Sequence, residues 1–291
     1  MKHPATAVLG LGRMGAALAD RLAAGGVPLT VWNRDPARAY GFADRARVAK
    51  SAAAACAAAE LIVLSFSDYH AGIEVMEDVA NEVELADRTL VQFTSGTPAD
   101  ARSMNAWTGM HGMHYLDAAI VAYPDAVGSA QAVLFYAGDE AHYERLRPTL
   151  ALLGGASRFV GEDIGAAATL DCALLCYYYG ASAAMLAGAA LCESEGFPLG
   201  DYFGTVKALA PLLAGTADGA RAMIDREIYS GADCTLTTHL AALRHIQRLA
   251  HDNGVDPRLP DALVATFRRA LAAHGDDELP ALFEVLRRQE D

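Results

Sequence analysis

A glycine-rich turn near the N-terminus constrains the fold of this chain more than any other stretch. The run "ATAVLG" predicts a buried strand, and the following "RMGAALADRLAAGG" predicts a helix. Between them, Gly10, Gly12 and Gly15 have the spacing G-x-G-x-x-G. After a strand and before a helix, this spacing indicates a loop that binds the phosphates of a dinucleotide. The alternative is a glycine-rich turn in an α/β domain that binds no nucleotide.

Each glycine of this turn has its own expected role. Gly10 permits the tight turn, Gly12 lets the backbone approach a pyrophosphate, and Gly15 lets the helix pack closely on the sheet. The helix N-terminus offers free N–H groups and the positive end of the helix dipole to the phosphates. The loop residues that we expect to contact the cofactor are Gly10, Leu11, Gly12, Arg13, Met14 and Gly15.

The end of the second strand, "VWNRDPARA", bears on which dinucleotide is bound. NAD enzymes usually carry Asp or Glu there to hold the ribose 2′-hydroxyl. Here Asn33 is followed by Arg34, with Arg38 one helical turn further on, and guanidinium groups match phosphate geometry. We therefore predict NADPH as the cofactor, bound by these three residues and Asp35. Asp35 is also the expected N-cap of a helix that begins at Pro36. If the carboxylate of Asp35 faces the ribose instead, the preference for NADP weakens.

Two further loops follow the fourth and fifth predicted strands, where doubly wound folds bind ligands. The first contributes Phe66 and Ser67, and the second contributes Ser95 and Thr97, all as expected cofactor contacts. Thr97 before Pro98 is also an ordinary helix N-cap pair. Ser95 precedes the cap and is the better candidate for the nicotinamide side and the substrate pocket.

Short apolar runs alternate with helical segments as far as about residue 161. The runs that predict strands after the first are "PLTVWN", "RVAK", "ELIVLSF", "RTLVQFT", "HYLDAAIV", "AVLFYAG" and "SRFVG". Strands that alternate with helices predict a mostly parallel, doubly wound sheet. The first part of the chain is therefore expected to be an α/β domain of the Rossmann type.

The rest of the chain predicts helices alone. A long apolar helix is expected from about Ile164 to Glu195, and further helices are expected to begin near Leu199, Asp218, Cys234, Pro257 and Glu278. We thus predict an NADP-binding Rossmann-type domain at 1–162, a long interdomain helix at 163–195, and an all-α domain for dimerisation and substrate binding at 196–291.

The charge and the cysteines narrow the possible partners. A net charge of −13 disfavours nucleic acid and anionic membranes, because nothing offsets the repulsion. The five cysteines are odd in number and lack zinc-finger spacing, so we predict no metal and a reduced, cytoplasmic location. Cys172 and Cys176, one turn apart in the long helix, are expected to be small buried hydrophobic residues.

The apolar run from Ile164 to Leu191 is long enough to span a bilayer. Asp171, three adjacent tyrosines, many small residues and the lack of basic flanks favour a protein-covered helix instead. A helix of 30 residues spans about 45 Å, and its apolar character on every side requires a cover. We therefore expect a partner subunit in an interlocked, domain-swapped homodimer.

Asp171 is a lone carboxylate in this apolar helix, and its burial is costly unless it is paired or protonated. It is therefore a chance residue of the helix surface, a residue in contact with solvent, or a functional group.

Five segments together resemble the imine reductases and reductive aminases within the β-hydroxyacid dehydrogenase superfamily. They are "VLGLGRMGAALA", "VWNRDPARA", "FTSGTP", "YLDAAIVAYPDAVG" and "GAAATLDCALLCYYYG", in this order over essentially the whole chain. The hydroxyacid dehydrogenases open the long helix with a glycine and carry a catalytic lysine six residues later. Counted from Gly165, that position is Asp171, and the asparagines that follow the lysine are replaced by Leu174 and Leu175.

The resemblance implies NADPH-dependent reduction of C=N bonds, with an imine or amine as the small-molecule partner. Similar imine reductases place Asp or Tyr at the lysine position, and reductive aminases carry a tyrosine eight residues later, which Tyr179 matches. Ser95 stands where reductive aminases often have asparagine, which favours cyclic imine reduction with weak reductive amination. Asp171 is expected to give a proton to an imine nitrogen or to stabilise the iminium cation, and Tyr179 to orient the substrate nitrogen.

The substrate pocket is expected to draw on both parts of the chain. Its expected residues are Ser95, Ile120, Val121, Ala122, Leu175, Leu212 and His239. His239 would reach the site from a partner chain. Asp117 is expected to stabilise the loop after its strand, and Tyr177 and Tyr178 are expected to be packing residues.

Two other functions remain open at this point. One is a hydroxyacid or related alcohol dehydrogenase of the same fold, against which the missing lysine counts. The other is a protein without enzymatic activity that senses NADPH. Activity on cyclic imines, activity on 3-hydroxyacids, or inertness to both would separate the three functions.

Overall fold

The computed structural model describes residues 3–230 and 234–287. The chain forms two compact units, Met1–Cys176 and Tyr177–Asp291, and the boundary between them lies within one long helix. The predicted order of an α/β part followed by a helical part is confirmed. The division into three parts at residues 162 and 195 stays a prediction.

One eight-stranded sheet organises the first unit. Its strands are β1 (Thr6–Leu9), β2 (Leu29–Trp32), β3 (Arg47–Val48), β4 (Leu61–Leu64), β5 (Thr89–Gln92), β6 (His114–Val121), β7 (Val133–Gly138) and β8 (Arg158–Gly161). They are arranged in the order β3-β2-β1-β4-β5-β6-β7-β8. All neighbours are parallel except β6 and β7, so the predicted, mostly parallel sheet is confirmed.

Both faces of this sheet are covered, which explains why its central strands read as continuous apolar runs. Successive side chains point to opposite faces, so Val8 and Val63 join one apolar cluster, whereas Leu9 and Leu64 join the other. The covering helices are α1 (Arg13–Ala24), α2 (Pro36–Tyr40), α3 (Ala52–Cys56), α4 (Tyr69–Ala80), α5 (Pro98–Met110) and α6 (Glu140–Leu150). A short 3₁₀ turn, Pro124–Ala126, follows β6.

The predicted long helix is α7 (Ala166–Ser194), a continuous helix of 29 residues. Among the described residues it is the one helix that is long and apolar enough to cross a membrane. This is weak evidence for a membrane span, because core helices of soluble proteins share both properties. Most of its surface is exposed in the single chain. Its buried members are Ala167, Ala168, Asp171 and Ala189.

Four expectations for α7 are wrong within the single chain. Cys172 and Cys176 are exposed rather than buried. Tyr177 and Tyr178, expected as packing residues, are 62% and 47% exposed. The reason is that α7 carries apolar residues all around its circumference, and one chain covers only a narrow part of it.

The second unit contains further helices and a small apolar core of its own. They are α8 (Leu199–Ala208), α9 (Ala210–Arg226), α10 (Leu236–Asp252), α11 (Arg258–His274) and α12 (Leu282–Leu286), with a 3₁₀ turn at Leu279–Ala281. Leu240 and Phe267 belong to this core. The helix predicted to begin near Asp218 begins at Ala210 instead, because Pro211 occupies its first turn, where proline is tolerated.

Candidate active site

The glycine turn joins β1 to α1, and two of its glycines lie where no other residue would fit. Gly10 has φ +92°, and an added Cβ would lie 2.2 Å from the carbonyl oxygen of Ser65 at the end of β4. A Cβ on Gly15 would lie 2.0 Å from the carbonyl oxygen of Gly10. The roles predicted for these two glycines are therefore matched by close backbone contacts.

Gly12 differs, because an added Cβ there would meet no atom within 4 Å. It occupies the N-cap position of α1, which receives no side-chain cap from the described residues. The first N–H groups of α1 are thus open to an anion in front of the turn. Arg13 is exposed and Met14 half-buried at the start of this helix. This open cradle fits the pyrophosphate of a dinucleotide.

Asn33 anchors the turn from the end of β2. Its Oδ1 accepts a hydrogen bond from the N–H of Leu11 at 2.7 Å, and its Nδ2 donates to the carbonyl of Asp35 at 3.0 Å. Asp35 caps α2 by accepting from the N–H of Ala37 at 3.0 Å, as predicted. Sequence reasoning missed that the Asn33 side chain is committed to the backbone.

Arg34 and Arg38, which follow Asn33 in the chain, are both exposed. The Nε of Arg38 lies 3.9 Å from Oδ2 of Asp35, and both side chains are more than half exposed. A 2′-phosphate would meet two cations here, one of which is partly neutralised by Asp35.

A hydrogen-bonded chain joins the loops after β4 and β5. The N–H of Phe66 donates to Oγ1 of Thr94 at 3.1 Å, and that hydroxyl donates to Oε1 of Gln92 at 2.9 Å. Ser67 is exposed and donates to Oδ2 of Asp68, the residue that caps α4. These contacts hold Phe66 and Ser67 at the carboxyl edge of the sheet.

The loop after β5 brings Ser95 to Asp171. Thr97 forms a full capping box with Asp100 at the start of α5, which confirms the predicted cap. Asp171, in the second turn of α7, is only 3% exposed. Burial raises the pKa of Asp171, and a hydrogen bond from the exposed Ser95 side chain opposes that rise. The sulfhydryl of Cys172 lies 3.4 Å from the carbonyl oxygen of Gly96.

Asp117 does not stabilise a loop, so that expectation is wrong. It lies inside β6, is 1% exposed, and its Oδ1 accepts from the hydroxyls of Tyr69 at 2.5 Å and Tyr115 at 2.8 Å. The pKa of Asp117 is raised to about 6, and burial is the main cause. The hydrogen bonds from the two tyrosine hydroxyls and the N–H of Ala168 oppose this rise, and the charge of Asp171 adds to it. The signal available in the sequence was a carboxylate within an apolar strand.

Tyr69 also reaches the loop after β5. A Cβ added to Gly96 would lie 2.5 Å from Cε2 of Tyr69, so the ring fills the space that a side chain would need. The same tyrosine therefore packs against the loop that carries Ser95 and donates to Asp117.

The predicted pocket residues divide between the two units. In the first unit, Ile120 and Ala122 pack against the core, Val121 is 43% exposed, and Leu175 is half-buried. In the second unit, the residues are Tyr179, Leu212 and His239. Tyr179 and Leu212 are 64% and 66% exposed, and the His239 ring packs edge-on against Phe267 with centroids 6.1 Å apart.

Comparison with known proteins matches nearly the whole chain. Residues 5–162 match the protein-family model for the NAD binding domain of 6-phosphogluconate dehydrogenase. Residues 163–288 match the family model for the NADPH-dependent reductive aminase-like, C-terminal domain. An NADPH-dependent reductive aminase of Aspergillus oryzae is 30% identical over 288 residues, which cover 96% of each chain.

Solved structures agree with these matches. An imine reductase from Myxococcus stipitatus in complex with NADP+ is 33% identical, with a TM-score of 0.92 over 97% of this chain and 100% of that one. A reductive aminase from Aspergillus terreus, in complex with NADPH4, cyclohexanone and allyl amine, is 29% identical, with a TM-score of 0.90 over 98% of this chain and 100% of that one.

Proposed function

Because this chain belongs to the family of NADPH-dependent reductive aminases and imine reductases, it is an NADPH-dependent reductase of C=N bonds, and we propose that Asp171 is its catalytic acid. The proposed substrates are cyclic imines, with weak reductive amination as a second activity. The single observation that carries the proposal for Asp171 is its burial at 3% exposure next to Ser95, at the carboxyl edge of the sheet.

The first unit supplies the proposed cofactor contacts. The turn from Gly10 to Gly15 and the free N–H groups of α1 would hold the pyrophosphate, and Arg34 and Arg38 would hold the 2′-phosphate. Phe66, Ser67, Ser95 and Thr97 lie on the two loops that continue this edge. NADPH supplies the hydride when it is bound.

Two chemical roles are open to Asp171. A carboxyl whose pKa is raised by burial holds its proton to a higher pH than an exposed one, and it can give that proton to the imine nitrogen. An ionised carboxylate in the same place can stabilise the iminium cation by its charge, since the surroundings exclude water. Ser95 would hold the carboxyl in position by its hydrogen bond, and Tyr179 would orient the substrate nitrogen.

A homodimer is proposed to complete the site. α7 and the second unit expose large apolar side chains that a soluble enzyme would not leave in water; they include Tyr177, Tyr179, Leu186, Leu212 and Leu213. A second copy of the chain, exchanged through α7, would cover them and would bring His239 to the pocket of its partner. The proposed location is the cytoplasm, without nucleic acid or membrane as a partner.

The activity is tested by following NADPH absorbance with a panel of cyclic imines, and NADP+ reduction with a panel of 3-hydroxyacids. Imine turnover is the expected result. Asp171→Ala should lower turnover by about 100-fold or more, because a positioned acid contributes a factor of this order. The matched control is Glu162→Gln, an exposed carboxylate near the start of α7 that should leave turnover unchanged.

Three outcomes would contradict parts of this proposal. Oxidation of 3-hydroxyacids without imine turnover would assign the chain to dehydrogenase chemistry. NADPH binding without turnover of either panel would assign it to sensing. An unchanged rate in Asp171→Ala would move the acid role to Tyr179 or to water.

The dimer is tested separately by sedimentation. Leu186→Glu should separate the subunits and abolish turnover, whereas Glu193→Gln on the same helix should do neither. Mixing the Asp171→Ala and His239→Ala proteins should restore part of the activity, because one site of each mixed dimer is intact. A folded, active monomer of the wild-type chain would remove the proposal.

A further inference from the structure

One buried tyrosine contacts three of the elements that build the candidate site, yet the proposed reaction gives it no role. Tyr69 is 5% exposed and is the first residue of α4, directly after the loop that carries Phe66 and Ser67. Its hydroxyl donates to Oδ1 of Asp117 in β6 at 2.5 Å, and its ring lies against Gly96 in the loop after β5. One side chain therefore links the start of α4, the loop after β5, and β6.

The hydroxyl end of Tyr69 is held in place. Its acceptor, Asp117, is 1% exposed and also accepts from Tyr115 at 2.8 Å. Burial, together with the charge of Asp117, raises the pKa of Tyr69, so the hydroxyl keeps its proton and remains a donor. The ring cannot turn away from Gly96 without breaking a hydrogen bond to a buried carboxyl, which is costly.

The loop after β5 has a short stretch whose position depends on this ring. Before the stretch, Oγ1 of Thr94 accepts from the N–H of Phe66 at 3.1 Å. After it, Thr97 closes the capping box of α5. Ser95 and Gly96 are the two residues between these fixed points, so their position follows from what packs against them.

Gly96 contacts both Tyr69 and α7. A Cβ on Gly96 would lie 2.5 Å and 2.6 Å from Cε2 and Cδ2 of Tyr69, so the ring supports the loop at a backbone atom. The carbonyl oxygen of the same glycine accepts from the sulfhydryl of Cys172 at 3.4 Å. Cys172 directly follows Asp171 in the second turn of α7, so the supported stretch lies next to the proposed acid.

We propose that Tyr69 is a positioning residue of the reductase: with its hydroxyl held by Asp117, its ring fixes the Ser95–Gly96 stretch against α7 and so places the Ser95 hydroxyl beside Asp171. The inference rests on the proposed roles of Ser95 and Asp171. It requires no contact between Tyr69 and substrate or cofactor.

Tyr69→Phe keeps the ring and removes the bond that holds it. The kcat for a cyclic imine should fall about tenfold, because small displacements of a catalytic group are costly, while the Kd of NADPH should change by less than about twofold. Tyr136→Phe is the matched control. Tyr136 is fully buried in the cluster on the opposite face of the sheet, and its hydroxyl has no hydrogen-bond partner among the described residues. Its variant should keep the wild-type kcat.

A double-mutant cycle with Ser95→Ala tests whether Tyr69 acts through the loop. In the Ser95→Ala protein, the hydroxyl that Tyr69 positions is already absent. Adding Tyr69→Phe there should therefore lower kcat by less than about twofold, because two changes on one route are not additive. An undiminished tenfold loss in that background would overturn the inference.

A second cycle tests the contact itself without relying on activity. Gly96→Ala should lower the midpoint of urea unfolding and the kcat of the wild-type protein, because its methyl group meets the ring. In Tyr69→Ala the ring is absent, and the nearest remaining atom would be Oδ2 of Asp100 at 3.2 Å. Adding Gly96→Ala to that variant should leave the midpoint unchanged or raise it, and should restore part of kcat. Equal losses in both backgrounds would contradict the proposed support.

The outcomes separate this inference from the proposed function. If Tyr69→Phe keeps the wild-type kcat while Asp171→Ala is inactive, the inference is wrong and the catalytic role of Asp171 stands. If Tyr69→Phe and Ser95→Ala are non-additive but Asp171→Ala keeps its full rate, Tyr69 positions Ser95 and the proposed acid fails. Should Tyr69→Ala not fold, the cycle of Tyr69→Phe with Ser95→Ala decides.

Discussion

The side-chain carbonyl of Asn33 accepts the backbone N–H of Leu11 at 2.7 Å, so the end of β2 is joined directly to the glycine turn. This contact holds the turn through the protein's own atoms. Asn33→Leu should weaken NADPH binding about fivefold, because a single hydrogen bond of this kind contributes about 1 kcal/mol. Fluorescence titration of NADPH measures the change. Asn33→Asp keeps the accepting oxygen and isolates the effect of added charge; equal affinity in the leucine variant would contradict the structural role.

Asp35 both caps α2 and lies 3.9 Å from the guanidinium of Arg38. Asp35→Ser keeps a capping oxygen and removes the charge, so the ratio of NADPH to NADH affinity should rise a few-fold. The gain is modest because both side chains are more than half exposed. Arg38→Gln should lower the same ratio. A ratio that Asp35→Ser leaves unchanged would place the 2′-phosphate away from Arg38.

Gly12 and Gly15 should respond in opposite ways to the same added methyl group. Gly15→Ala forces its Cβ to within 2.0 Å of the Gly10 carbonyl, so we expect a loss of about 3 kcal/mol or more in the free energy of unfolding. Gly12→Ala meets nothing and should change stability by less than about 1 kcal/mol. It should still weaken NADPH binding strongly, because the methyl group fills the cradle. Chemical denaturation and NADPH titration of both variants provide the comparison, and a stable Gly15→Ala protein would be the contrary result.

The free energy of unfolding should depend on pH through Asp117. Its pKa is about 6 in the folded protein against an ordinary value of 3.8, so the folded chain holds this proton more tightly than the unfolded chain. The stabilisation is complete below pH 3.8 and is lost as the pH rises through 6. From pH 7 to pH 5, wild type should therefore gain about 1 kcal/mol relative to Asp117→Asn. Urea unfolding at the two pH values tests this, and equal changes in both proteins would refute it.

The sequence predicts the sheet and the glycine turn well because each rests on neighbouring residues. The alternation of "ELIVLSF" and "RTLVQFT" with helical segments identifies buried parallel strands, and the spacing of Gly10 and Gly15 reflects contacts within one turn. The caps at Asp35 and Thr97 are equally local, so they too are predicted correctly.

Other features depend on contacts between distant residues, and sequence patterns do not contain them. Tyr69 lies 48 residues before Asp117, so nothing near "YLDAAIV" reveals the hydroxyl that binds the aspartate. Tyr177 and Tyr178 of α7 differ from the prediction because apolar character shows that a helix needs a cover, but not that the rest of its own chain provides it. The start of α9 differs from the prediction because Pro211 fits the first turn of the helix.

Tyr69 ties two parts of the candidate site together, since its ring occupies the space above Gly96 while its hydroxyl binds Asp117. Any side chain introduced at position 96 would push the ring aside and pull the hydroxyl off the buried carboxyl. A replacement at position 95 changes the hydrogen bond to Asp171 but leaves Tyr69 in place. At position 96 every replacement for glycine would disturb the proton equilibrium of the site along with the shape of the pocket.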